Sequence, residues 1–161
     1  MNNNRLTLLI RFACVLLTIC LSGCAHYSPT TSNPAKVDSG RLYRSWFDWD
    51  GFCVTQIDGQ PVEHLFQTSD KVDAGQHLLL IFHKGNRPYG GFVSAGYLPV
   101  IAHFEPSKRY DVAGSESAGV IRVWIRDVEN GKAVSEAIER PVMPIQGQSA
   151  PIFVPIVVPH R

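Results

Sequence analysis

"VIRVWIRD", Val120 to Asp127, decides the fold class. Ile121, Val123 and Ile125 share one parity, while Arg122, Trp124 and Arg126 share the other. A period of two is the mark of a strand with one buried face, here with a cationic and aromatic outer face that could meet a partner. Toward the C-terminus, Asn130-Gly131 in "VENGKAV" supplies a hairpin turn, because both residues tolerate positive φ. Only "AVSEAIE", Ala133 to Glu139, fits a short helix.

The same alternation recurs upstream at intervals of about ten residues between turn signals, the spacing of a sandwich or barrel. "LPVIAHFEP" puts Leu98, Val100, Ala102 and Phe104 on one face, and "KRYDVAG" could return as a strand. "HLLLIFHK", His77 to Lys84, is apolar on both parities and predicts a central strand covered on each side. Gly75 before it supplies a tight turn. "FCVTQI" runs into Asp58-Gly59, a second hairpin signal, and "QPVEHLF" leaves it. The prediction is an all-β chain, a small antiparallel β-sandwich of about seven strands, over residues 41–140.

The N-terminus has a different character. "MNNNRLTLLIR" carries two arginines and no acid, and an apolar run of signal-peptide length follows, too short to span a bilayer. Leu21, Ser22, Gly23 and Cys24 resemble the lipobox of bacterial lipoproteins. That resemblance implies removal of residues 1–23, acylation of Cys24 and a lipid bilayer as partner; Ala25, not Asp, implies the outer membrane. Residues 24–40, rich in Ser, Thr, Pro and Asn, are expected to be a disordered tether. As coil they would span ~20 to 25 Å.

The order "IDGQPV", "DAGQHLLLI", "YLPVIAHFEPSKRYDV", "VIRVWIRDVENGKAV" is similar to a family of proteobacterial lipoproteins of uncharacterised function with a prealbumin-like or PEGA-like β-sandwich. Asp58-Gly59, Gly75-x-His77, Tyr110 and Asp127 occupy the family's marked positions, although "EPSKRY" replaces the small residue and glycine usual before that tyrosine. The resemblance implies a fold and an envelope address, with an envelope protein complex as a possible partner. It implies no catalytic residues.

Charge excludes one class of partner. Net charge is +1, and losing Arg5 and Arg11 from fifteen cations leaves thirteen against fourteen acids, so there is no electrostatic case for nucleic acid. Cys14 and Cys20 lie before Cys24, leaving Cys53 as the remaining thiol and no intrachain disulfide. Cys53, between Phe52 and Val54, reads as a buried strand residue; a metal or nucleophilic site using Cys53 or His103 is the competing reading. The six histidines show no zinc-ligand spacing, and no cofactor is expected.

Three further stretches carry expectations. Trp46, Phe47 and Trp49 in "SWFDWDGF" are expected to close the bottom of the core. "KGNRPYGGFVSAGY", residues 84–97, reads as a long glycine-rich loop in which Arg87 and Tyr89 would be contact residues. Residues 141–161, interrupted by prolines, fit an edge strand or extended tail.

Overall fold

The computed structural model describes residues 26–62 and 69–145 of the chain. Among the described residues, eleven strands form two packed sheets: β1 (Ala35–Asp38), β2 (Gly40–Ser45), β3 (Asp48–Ile57), β4 (Gln60–Pro61), β5 (Ser69–Val72), β6 (Gly75–Arg87), β7 (Gly91–Phe104), β8 (Arg109–Ser117), β9 (Val120–Asp127), β10 (Ile138–Pro141) and β11 (Met143–Pro144). Sheet A has the order β10-β9-β8-β1-β5 and sheet B the order β11-β7-β6-β3-β2, with β4 appended to β3. All pairings are antiparallel except β1 with β8.

The core lies where the inward parities meet. Phe52, Val54, Ile57, Leu79, Ile81, Leu98 and Val100 from sheet B face Val37, Val112, Ile121, Val123 and Ile125 from sheet A, all essentially removed from water. Each such side chain contributes about 1.5–3 kcal/mol on burial, which lets a chain with no bridged cysteine among the described residues hold together. Tyr110 sits edge-on to Phe104 at 5.0 Å, and its Oη accepts a hydrogen bond from the Glu105 N–H.

Asp58-Gly59 forms its turn with φ of 51° and 77°, the positive pair that a two-residue hairpin requires. Asp58 also caps the start of β6, accepting from the Leu78 N–H and pairing with His77 Nδ1 at 2.6 Å.

Several expectations are corrected. The tether expected at 24–40 is structured from Tyr27 onward. The Tyr27 N–H donates to the Pro61 carbonyl, its Oη accepts from the Asp73 N–H, and the N–H and hydroxyl groups of Thr30 and Thr31 surround the Asp73 carboxylate. β1 then inserts between β8 and the edge strand β5 of sheet A, with Ala35 and Val37 fully buried. The polar composition concealed this because its partners lie far along the chain. Gly40 follows where the chain crosses between sheets, and a Cβ there would collide with the Val112 carbonyl oxygen.

The strands outnumber the seven expected because the short ladders β1, β4, β5, β10 and β11 join the six longer strands. No helix forms over 133–139; Ala133 and Ser135 make single bridges to Arg126 and Ala102, and β10 follows. β6 is covered on one side only: Leu79, Ile81 and His83 face the core while Leu78, Leu80 and Phe82 face outward. The 84–97 loop shrinks to the turn Pro88–Gly90, since β6 and β7 run through their glycines with a bulge opposite His83–Gly85. β11 pairs with the edge of β7, whereas residues 146–161 and Cys24 lie outside the described residues.

Candidate functional site

At the end of the sandwich nearest the β2–β3 and β6–β7 turns, the inward parity of β3 and β6 becomes polar. Asp50 and His83 are fully buried there. The Ala95 N–H donates to His83 Nδ1 at 2.8 Å, so the ring proton sits on Nε2 and is donated to Asp50 Oδ1 at 2.9 Å. Arg87 Nη2 reaches the same oxygen at 3.0 Å, and Arg44 Nη2 reaches Oδ2 at 2.8 Å. Both guanidiniums also contact Glu116 at 3.0 Å, and Arg44 is tied to Asp48. Burial pushes the Asp50 carboxyl up, but hydrogen bonds from His83, Arg44 and Arg87 outweigh it and hold the group at about 2. Gly85 makes the approach possible, because a Cβ there would meet Asp50 Oδ1.

Asp50, His83 and nearby Ser94 have the residue types of a hydrolytic triad, but the wiring is different. A base needs its second nitrogen on the nucleophile. Here that nitrogen accepts from the Ala95 backbone, while Ser94 Oγ donates to the His83 carbonyl oxygen at 2.5 Å. The cluster is a structural closure for this end of the core. It also explains why the aromatics expected there point elsewhere: Trp46 is 88 % exposed and Phe47 65 %.

The contact residues expected from the sequence divide among three places. Arg87 is committed to the cluster rather than displayed. Tyr89, at 97 % exposure, caps the β6–β7 turn. Arg122, Trp124 and Arg126 lie on the outer face of sheet A, where Arg126 forks onto Asp111, Arg122 pairs with Glu139 and Trp124 is half-buried opposite Ala113.

Cys53 and His103 are not brought together: Cys53 lies opposite Phe82, Phe82 opposite Tyr97, and His103 six residues further along β7, ~20 Å away. Burial, then the Asp70 carboxylate, push the Cys53 thiol up, away from thiolate. No three potential ligands cluster around a possible metal position among the described residues.

The surface with the most unusual chemistry is the outer face of sheet B. Ladder register places Tyr43, Trp49 and Asn86 in one row, Arg41, Gly51 and Lys84 in the next, and Cys53, Phe82 and Tyr97 in the third. Leu80 with Pro99 and Leu78 with Ile101 follow. Tyr97 is 58 % exposed and Ile101 56 %. The Trp49 ring lies against Gly51, which offers it a flat bed. Arg41 donates to Tyr43 Oη at 2.8 Å, and Lys84 Nζ stands 4.3 Å over the Phe92 ring. Arg41, Tyr43, Arg44, Ser45, Trp46 and Trp49 line a groove of about 650 Å³ at its upper end.

Among the described residues, β2, β3, β6 and β7 place no carboxylate on this face; Glu136 borders it on the segment beside Ile101. The signal was present in the even-numbered apolar residues of β6, which the sequence reading assigned to a second covered side.

No family model matches the chain, and no curated protein or solved structure matches it either.

Proposed function

We propose that the chain is an envelope lipoprotein, acylated at Cys24 and anchored in the outer membrane. Its β-sandwich serves as a non-enzymatic binding module through the outer face of sheet B. The observation that supports this reading is the contrast in that face: exposed rings and aliphatic chains, two cations, and no acid to neutralise them within four strands. Exposed apolar surface of that extent is the usual mark of an interaction site. The His83–Asp50 pair has no free nitrogen for catalysis and serves the fold.

Mass spectrometry of protein from its native host tests the anchor: an N-terminal peptide beginning at a triacylated Cys24 is expected, and an unmodified one refutes acylation. A photo-crosslinking residue at Tyr97 tests the face. It should yield adducts in cells that the same probe at Trp124 does not, and adducts confined to Trp124 would reassign the contact to sheet A.

A further inference from the structure

We propose that the outer face of sheet B is a membrane-contacting surface that rests on anionic phospholipid headgroups, beside the membrane in which Cys24 is anchored. The inference builds on the lipoprotein reading and deepens it. The length of free chain is its first support. Because Tyr27 is fastened to Pro61 and Asp73, only Cys24, Ala25 and His26 separate an acylated sulfur from the folded domain. Three residues reach ~10 Å when fully extended, so the domain is held against the headgroups and cannot stand clear of them. The attachment is at β4, which pairs with the Gln56–Ile57 end of β3 in sheet B, and at Asp73, between β5 and β6.

Charge complementarity is the second support. Arg41 and Lys84 lie among Tyr43, Trp49, Phe82 and Tyr97 with no carboxylate from these strands, Arg41 donating to the Tyr43 hydroxyl and Lys84 standing over the Phe92 ring. Rings that are apolar in body and polar at the rim, interleaved with Lys and Arg, suit the boundary between water and lipid. Basic groups are also drawn to the negative potential of an anionic leaflet. On the opposite outer face Arg109, Arg122 and Arg126 pair with Asp38, Glu139 and Asp111 beside the exposed Lys36 and Lys71; what that face lacks is the run of exposed rings among its cations. One acyl-linked site and one adsorbed face together form the two-signal arrangement that holds a protein firmly at a bilayer.

The test uses the chain from residue 24 onward, which retains every described residue, with Cys24→Ser to remove acylation. It is mixed with vesicles of phosphatidylethanolamine containing about one-third phosphatidylglycerol, or of phosphatidylcholine alone. Co-sedimentation with the anionic vesicles is expected, falling with salt. Arg41→Glu with Lys84→Glu should weaken it by at least about tenfold, and Arg122→Glu with Arg126→Glu should leave it unchanged. Tyr97→Ser, an exposed position, provides a second variant, and thermal melting confirms that each is folded.

Absence of vesicle binding, equal binding to both vesicle types, or loss through the Arg122 and Arg126 variant would overturn the proposal. So would concentration-dependent dimers abolished by Tyr97→Ser without vesicle binding, which would assign the face to a second copy of the chain. Acylation is read separately: an acylated protein whose face ignores vesicles defeats only this inference, and an unacylated one that binds them defeats only the anchor.

Discussion

Two regions of this sandwich use the same chemical pairing to different ends. On the outer face of sheet A, Arg126 meets Asp111 at 2.5 Å and Arg109 meets Asp38 at 2.6 Å, with both guanidinium groups largely in water. At the turn end of the core, Arg87 and Arg44 meet Asp50 at 3.0 and 2.8 Å, longer contacts to a carboxylate from which water is excluded. Distance alone would rank the outer pairs first. Solvation reverses the order, since an exposed pair exchanges one well-solvated state for another, whereas loss of one buried partner strands the others.

The largest expected effect comes from Asp50→Ala, which leaves His83 Nε2–H, Arg44 and Arg87 facing an empty acceptor position. Denaturant unfolding should show a loss of about 3–5 kcal/mol. Next, Gly85→Ala pushes a methyl group into the Asp50 carboxylate and should cost up to about 3 kcal/mol, with Asp50→Ala and Gly85→Ala together costing less than their sum.

Acid should act on the buried cluster in a defined window. The Asp50 carboxyl is held at about 2 in the fold, below its ordinary value of 3.8. Its contribution, about 2 kcal/mol, is therefore complete above pH ~4 and lost as pH falls through ~2. Asp73, also lowered by donors from Thr30 and Thr31, withdraws its hold on the N-terminal segment in the same direction. Stability measured from pH 6 to 2 should fall in this window, and Asp50→Asn should flatten the curve; an unchanged slope would contradict the assignment. The smallest effect belongs to Arg126→Ala, below ~1 kcal/mol and erased by high salt. If it matched Asp50→Ala, burial would not be what separates the two regions.

The parts of the fold legible in the sequence are those set by neighbours in the chain. Alternation in Val120–Asp127 matches the inward Ile121, Val123 and Ile125, and the Asp58-Gly59 signal matches a turn. What was not legible depends on distant partners. "AKVD" has too few apolar groups to announce a strand, yet Ala35 and Val37 are buried because β5 and β8 flank them. Asp50 and His83 are 33 residues apart and carry no mutual signature. The outward Leu78, Leu80 and Phe82 looked like core because an apolar outer face and an interior are written in the same residues.

The position of β1 bears on how such a chain is made. It aligns in parallel with β8, and the Asp38–Arg109 pair that accompanies it joins residues 71 positions apart. During synthesis β1 emerges early and has β5 as its first partner, a two-stranded ribbon with little stability of its own. Sheet A closes only when most of the polypeptide exists, and such long-range pairing is slow. Completion of sheet A, and with it of the two-sheet core, therefore waits for β8 and β9, which suits the export route proposed above.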